Sequence, residues 1–198
     1  MANSSTDYQD GNFDLNELRT AAESGDADAQ HEMGFRCKFG LEVEEDEEQA
    51  AFWYGKAAEQ GNADAQCSLG YFYKEGHGVE KDDAKAVYWF TKAAEQDVAE
   101  AQYQLGLCCE TGSGTAQDAE LAFSWYSKAA NQGDADAMHA LGRCYATGTG
   151  TAQNDELATF WLAESVEQDD DDWDNEEYDE DEESDDEEDD DEDDEEWD

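Results

Sequence analysis

The side chains that could carry out chemistry in this chain are few and widely separated. Its three histidines and five cysteines are His31, His77, His139, Cys37, Cys67, Cys108, Cys109 and Cys144. A transition-metal site needs ligands at short spacing, as in CxxC or HExxH, and neither motif occurs. An odd number of cysteines in a chain without an export signal is typical of reduced thiols. We therefore expect no metal site, no cofactor and no disulfide framework.

Glycine pairs are the other candidate for chemistry, because glycine-rich loops can bind phosphate. The pairs are Gly76/Gly78, Gly112/Gly114 and Gly148/Gly150. None is followed by the Lys-Ser/Thr of a phosphate-binding loop, so the pairs are interpreted as turns between helices. No Ser-His-Asp arrangement can be assigned either. The sequence predicts a protein that is not an enzyme.

The charge is extreme and unevenly distributed. The 198 residues include 57 Asp and Glu against 10 Lys and Arg, a formal net charge of -47. This excludes direct binding of nucleic acid, which needs cations to displace counterions, and docking on anionic lipid. Between residues 169 and 198, 25 of 30 residues are acidic and none is basic. Such a segment buries too little apolar surface to fold, so we expect a disordered polyacidic tail over 169–198.

The remainder of the chain repeats with a period of 36 residues. The recurring residues are Gly34, Gly70, Gly106 and Gly142, Trp53, Trp89, Trp125 and Trp161, and the Ala-Ala pairs that begin at Ala57, Ala93 and Ala129. A period of this size indicates stacked supersecondary units. We expect four units from about residue 27, preceded by a capping helix over 14–24 and a flexible N-terminus over 1–13. The repeat region is then 14–168.

Each unit is predicted to contain two helices. Ala65, Leu69 and Phe72 recur at i, i+4 and i+7, which places them on one helix face. Gly76 ends that helix, since glycine favours conformations that helices do not use. The apolar positions of the second helix are Ala86, Trp89, Phe90, Ala93 and Ala94, again at helical spacing. Asp82 or Asp83 can cap its N-terminus.

These motifs resemble those of the Sel1-like repeat family, relatives of tetratricopeptide repeats. The residues that carry the resemblance are LGYFYKEGHGVEKDDAKAVYWFTKAAEQ, from Leu69, and LGLCCETGSGTAQDAELAFSWYSKAANQG, from Leu105. The resemblance implies an all-α, right-handed α-solenoid of antiparallel helix pairs that acts as a scaffold or adaptor without catalysis. The loop at Gly40 has one glycine where the others have two, so we expect its shape to differ.

A groove for a partner is predicted by analogy with tetratricopeptide geometry, in which the first helix of each unit lines the concave side. The predicted groove residues are His31, Phe35, Lys38, Cys67, Tyr71, Lys74, Tyr103, Leu107, Glu110, His139, Arg143 and Ala146. Aromatic anchors beside cations suit an extended peptide or protein segment that carries carboxylates. For Tyr103 and Leu107, simple packing between helices is an equal alternative.

The acidic tail admits several interpretations. It can solubilise the protein, or reflect adaptation to high salt, or fold back on the groove and compete with its ligand. It can also act as an inhibitor, an immunity-type protein or a chaperone that occupies a basic protein surface, with Trp173, Tyr178 and Trp197 as apolar anchors. The N-terminus lacks the features of a signal peptide, and no stretch is long enough to insert into a membrane. A cytoplasmic location, or a nuclear one in a eukaryote, is expected.

Overall fold

The computed structural model describes the backbone of residues 14–173 and the side chains of residues 14–166. Within these residues there are nine helices and no strand. They are α1 (Leu15–Ser24), α2 (Ala27–Phe39), α3 (Glu47–Glu59), α4 (Ala63–Glu75), α5 (Asp83–Ala94), α6 (Ala99–Thr111), α7 (Ala119–Ala130), α8 (Ala135–Thr147) and α9 (Asp155–Trp173). Each helix packs against the next along the chain. The predicted all-α solenoid of helix pairs is confirmed over this range.

Acidic and amide side chains begin almost every helix. Asp82 accepts a hydrogen bond from the backbone N–H of Lys85, so Asp82 and not Asp83 is the N-cap of α5. Asp46 and Asp118 cap α3 and α7 in the same way. These caps satisfy backbone donors that have no partner within the helix. Val98, at the start of α6, is the exception and provides no side-chain cap.

The glycine that recurs in the first helix of each unit allows two helices to approach closely. A Cβ added to Gly70 would lie 2.6 Å from the ring of Phe90 in α5. The equivalent pairs are Gly34 with Tyr54, Gly106 with Tyr126 and Gly142 with Leu162. Tyr54, Phe90 and Tyr126 are almost completely buried. The glycine therefore makes room for a bulky side chain of the second helix in each unit.

Buried glutamines connect one unit to the next. The Gln66 side chain donates to the Ala58 carbonyl at 3.0 Å and accepts a hydrogen bond from the Gln96 Nε2 at 2.8 Å. The same arrangement recurs one period earlier, around Gln30, and one period later, around Gln102. The fourth unit has Met138 at this position. Three of the four units thus share a polar connection through otherwise apolar interfaces.

The second glycine of each loop contacts the preceding unit. A Cβ on Gly78, where φ is +59°, would lie 2.1 Å from the carbonyl oxygen of Glu47 at the start of α3. Gly114 and Gly150 approach α5 and α7 in the same manner. In the first loop the equivalent residue is Glu42, and its φ is +58°. The expectation that this loop differs in shape is therefore wrong at this residue.

Glu42 tolerates this conformation for two reasons. The helix before it, α1, begins at Leu15. Shifted by one period of 36 residues, Leu15 corresponds to position 51, four residues after the start of α3 at Glu47. Within the described residues, no helix therefore begins beside the Glu42 side chain in the way that α3 begins beside Gly78. In addition, the Glu42 carboxylate accepts a hydrogen bond from the Arg36 guanidinium. An ion pair thus accompanies the left-handed backbone that glycine adopts in the other loops.

The C-terminal helix extends beyond the predicted boundary of the repeat region. α9 continues to Trp173, so residues 169–173, assigned to the tail by composition, are helical. Glutamate and aspartate are tolerated in a helix that has already been nucleated, because each further residue adds one backbone hydrogen bond. Residues 1–13 and 174–198 lie outside the described residues. No helix within residues 14–173 is both long enough and apolar enough to cross a membrane.

Candidate interaction surface

The predicted groove residues all belong to α2, α4, α6 and α8, and we call the exposed face of these four helices the first-helix surface. Its most accessible apolar part is on α2. Phe35 is 39% exposed and Phe39 is 50% exposed, and their ring centroids are 4.7 Å apart. The Lys38 Nζ lies 4.7 Å from the centroid of Phe39. Within residues 14–166, Lys38 forms no ion pair, so this cation is available to a partner.

The middle of the surface is a hydrogen-bonded network between α4 and α6. The Tyr71 hydroxyl donates to Glu100, and the Lys74 Nζ donates to Gln104 Oε1 at 2.9 Å. Gln104 in turn donates to Glu100 at 3.0 Å. Burial, and then the bonded carboxylate of Glu100, raise the pKa of Tyr71, so the phenol stays protonated and remains a donor. Tyr71 and Lys74 therefore already have partners in the free protein.

A second network joins α6, α7 and α8. Arg143 Nη2 lies 3.0 Å from both carboxylate oxygens of Glu110, and the buried Tyr126 hydroxyl donates to Glu110 Oε2 at 2.6 Å. The ring of Tyr103 packs 5.9 Å from that of Tyr126. Glu110 therefore neutralises Arg143, a cation of the predicted groove. The structure also supports the packing alternative for Tyr103 and Leu107, since both lie half-buried against the core.

The remaining predicted residues differ in accessibility. His31 is half-buried with its ring 5.5 Å from that of Tyr54, and burial lowers the pKa of His31. Cys67 is buried, and burial raises its pKa to about 12, so its thiol is a packing group. His139 and Ala146 are exposed on α8. The predicted groove residues therefore range from buried to exposed.

Four carboxylates that the groove prediction does not include also belong to the first-helix surface. They are Asp28, Asp64, Glu100 and Asp136, in the first turns of α2, α4, α6 and α8. Glu100 holds Tyr71, and Asp64 lies near enough to act on the pKa of His31 after the larger effect of burial. The signal was present in the sequence, because each acid precedes a groove residue by seven positions, two turns along the same face.

The surface consequently has an acidic edge and a basic edge. The acids lie at the N-terminal ends of the first helices, and Lys38, Lys74 and Arg143 lie near their C-terminal ends. The helix dipole favours the acids and the two lysines at these ends, whereas Arg143 lies before the last turn of α8 and Glu110 adds a negative charge at the end of α6. Within the described residues, no group of three His, Cys, Asp or Glu side chains could hold a metal ion, and the five free cysteines are all buried.

Comparison with protein families gives one match, repeated four times. A family model described as Sel1 repeat matches residues 27–62, 63–98, 99–134 and 135–170. Together these four matches cover most of the chain. A search of curated protein sequences finds no match.

Solved structures share this fold. A protective antigen present in uropathogenic Escherichia coli strains and displaying an SLR fold is 38% identical, with a TM-score of 0.77 over 79% of this chain and 34% of that chain. A Sel1 repeat protein from Oxalobacter formigenes is 33% identical, with a TM-score of 0.74 over 77% of this chain and 63% of that chain. The chain thus spans about a third of the first protein and under two thirds of the second.

A more distant likeness shows the fold alone. A putative Sel1 repeat protein from Klebsiella pneumoniae subsp. pneumoniae is 24% identical, with a TM-score of 0.55 over 77% of this chain and 73% of that chain. The helix-pair architecture is therefore shared at low sequence identity. At 24% identity, this likeness does not indicate which residues of this chain contact a partner.

Proposed function

Because this chain belongs to the Sel1 repeat family, we propose that it is a non-catalytic scaffold that binds an extended peptide or protein segment on the first-helix surface. Sel1 repeats are in general protein-interaction scaffolds, and Sel1-repeat proteins bind proteins or peptides. A solenoid presents one continuous face built from equivalent helices, which suits a ligand that is itself extended. The proposal assigns that role to α2, α4, α6 and α8.

The observation that carries the proposal is the exposed aromatic pair of α2. Phe35 and Phe39 keep 39% and 50% of their surface in contact with water, although the neighbouring rings of the same surface are half-buried or covered. Interface energy concentrates in a few aromatic and cationic anchors, and an exposed aromatic pair beside the free Lys38 has that composition. The remaining cations, Lys74 and Arg143, are already paired. We therefore expect the tightest contacts at α2.

The partner's chemistry follows from the two edges. A carboxylate of the bound segment is favoured beside Lys38, at the basic edge, and is disfavoured beside Asp28 and Asp64, at the acidic edge. An apolar side chain is required between them, against Phe35. A segment meets all three conditions if it carries an acid beside Lys38, an apolar residue against Phe35, and an apolar or basic residue beside the acidic edge.

The test is selection of peptides by the full-length protein from a random 12-residue displayed library, followed by fluorescence anisotropy with the selected peptide. Replacing Phe35 or Phe39 with alanine should weaken binding about tenfold or more, since truncated anchors cost upwards of ~1.4 kcal/mol. Phe52→Ala is the matched control, because Phe52 is 49% exposed on α3, away from the first-helix surface. Equal losses in all three variants would contradict the proposal.

The second candidate is a role for the acidic tail as an inhibitor, immunity-type protein or chaperone on a basic protein surface. Its support is composition alone, because 25 of the 30 residues 169–198 are acidic and no base is among them. Trp173 ends α9, whereas Tyr178 and Trp197 lie outside the described residues. Binding of a basic probe such as histone H1 by the tail should fade steeply between about 0.05 and 0.5 M salt, whereas binding through aromatic anchors should persist.

A further inference from the structure

Half of the ten Lys and Arg residues lie in or just before α3, α5 and α7, the second helices of the first three units. Three of these five residues are in or just before α5. Lys85, Tyr88 and Lys92 follow one another at i, i+3 and i+7, so they share one helix face, and Lys81 lies just before the helix. Tyr88 is 54% exposed. We call these four residues the α5 stripe.

The lysines of the α5 stripe form only long ion pairs, and the Lys85 Nζ also lies 4.9 Å from the centroid of the Tyr73 ring. Lys85 lies 3.5 Å from Asp82, Lys92 lies 3.7 Å from Glu95 and Lys81 lies 3.9 Å from Asp83. These pairs are long, and both members of each are substantially exposed to solvent. Exposed pairs of this kind contribute little, so a denser cluster of carboxylates can replace them.

Lysines on the neighbouring second helices extend the stripe to both sides. The Lys56 Nζ of α3 lies 5.0 Å from the centroid of Phe52, and the Lys128 Nζ of α7 lies 3.9 Å from that of Trp125. The Lys92 Nζ is likewise 6.0 Å from the centroid of Tyr88. Each of these helices therefore presents a cation over an aromatic ring. An acidic segment that contains aromatic residues fits such a row through both charge and apolar contact.

The acidic segment that we assign to this row is in the chain itself. We propose that residues 174–198 of the same molecule dock on the α5 stripe, with their carboxylates beside Lys81, Lys85 and Lys92 and an aromatic residue against Tyr88. Twenty-one of these 25 residues are acidic, and Tyr178 and Trp197 are the aromatic residues available. The stripe offers the segment three lysines whose ion pairs are long, whereas among the predicted groove cations Lys74 and Arg143 are already bonded and only Lys38 lacks an ion pair within residues 14–166.

The length of the segment permits this docking. Residues 174–198 follow the end of α9 at Trp173, and 25 residues can extend up to roughly 80 Å. Four helix-to-helix steps separate α9 from α5, and at about 10 Å a step they span at most roughly 40 Å. A tethered segment within reach has an effective concentration in the millimolar range, so weak contacts suffice. This docking leaves the first-helix surface open to its partner.

The test is zero-length carbodiimide cross-linking of the full-length protein, in which a lysine couples only to a carboxylate that it touches, followed by mass spectrometry. At about 10 mM salt, where the Debye length is roughly 30 Å, residues 174–198 should couple to Lys81, Lys85 and Lys92. At about 1 M salt these products should disappear. The local pair Lys85–Asp82, at 3.5 Å, reports that the reagent works.

Two matched double variants make the result specific. In Lys85→Gln/Lys92→Gln the amine of Lys81 remains, and its coupling to the segment should fall about fivefold, because two weak pairs together supply about 1 kcal/mol. Lys38→Gln/Lys74→Gln changes the charge equally and should leave coupling at Lys81 unchanged. Three results would overturn the proposal: coupling to Lys38 and Lys74 instead, coupling only between molecules in a mixture of normal and heavy-isotope protein, or no coupling to the segment while the local pair reacts.

Discussion

At the scale of single residues, the absence of a side chain at Gly70 sets the distance between α4 and α5. The replacement Gly70→Ala places a methyl group 2.6 Å from the Phe90 ring, and that buried ring has no free space to move into. We expect a loss of about 1–3 kcal/mol of unfolding free energy. Urea denaturation followed by circular dichroism measures it.

Gly55→Ala is the matched control for this substitution. Gly55 lies inside α3, and a Cβ there meets nothing within 4 Å. Alanine should therefore stabilise the protein by about 0.5–1 kcal/mol through backbone entropy and helix propensity. If Gly70→Ala stabilises the protein as Gly55→Ala does, the close approach of the Phe90 ring is not what selects glycine.

Tyr54 makes stability depend on pH at the equivalent interface one unit earlier, where it packs against Gly34. Burial raises the pKa of Tyr54 above its usual value of about 10, so above that pH the unfolded chain releases a proton that the folded chain retains. Stability must therefore fall as pH rises past about 10. Tyr54→Phe should reduce this loss by about 1 kcal/mol near pH 11, and phenylalanine fits because Phe90 occupies the same position one unit later.

The measurement for Tyr54 is the midpoint of urea denaturation at about pH 8 and about pH 11. Tyr88→Phe removes a hydroxyl from an exposed ring on α5 and serves as the comparison. A variant at Tyr54 that loses as much stability as the parent protein between the two pH values would show that burial of its hydroxyl does not govern alkaline unfolding.

At the scale of elements, the glutamines hold one helix pair to the next. In Gln66→Ala the Ala58 carbonyl and the Gln96 amide each lose one hydrogen bond but keep another, to the Gly61 N–H and the Gly61 carbonyl, so we expect a cost of about 1 kcal/mol. Gln49→Ala, at an exposed position of α3, should change stability by less than about 0.5 kcal/mol. Hydrogen exchange of α3 and α4 amides localises the effect. Similar shifts in both variants would mean that the glutamine connection contributes nothing.

Much of the arrangement of elements could be predicted from the sequence because its causes are local. Helix starts follow from acids such as Asp82, and helix ends from glycines such as Gly76 in the left-handed conformation. The 36-residue period then orders the pairs, because each unit buries its apolar face only against its neighbours. The end of α9 was mispredicted by composition, since a helix that has begun can continue through acidic residues up to Trp173.

The candidate surface was less predictable, because side chains that meet across two units are not encoded by spacing within one unit. Phe35 and Lys38 are as exposed as the groove prediction requires. Lys74 and Arg143 are not free, because Gln104 and Glu110 of α6 reach them from the neighbouring unit. These pairings depend on how far each long side chain extends between helices. The role of the surface as a binding site stays a prediction.

At the scale of the whole molecule, electrostatic repulsion is the dominant long-range force. A net charge of -47 destabilises a compact state, and the ion pairs among the described side chains are mostly exposed and weak. Raising sodium chloride from about 10 mM to about 0.15 M shortens the Debye length from roughly 30 to 8 Å. The thermal midpoint should therefore rise, by about 2–4 °C for each kcal/mol gained. A midpoint that falls with salt would show that ion pairs outweigh repulsion.

The loops also determine where this array can be lengthened. Gly78, Gly114 and Gly150 lie against the helix start of the unit before them, whereas Glu42 occupies the equivalent place at the first unit. A duplicated module inserted between existing units would bring the required glycine with it. One added ahead of residue 27 would press a new helix start onto the Glu42 side chain. The chain can therefore acquire units internally or beyond its fourth unit, but growth at its front needs a compensating Glu42→Gly replacement.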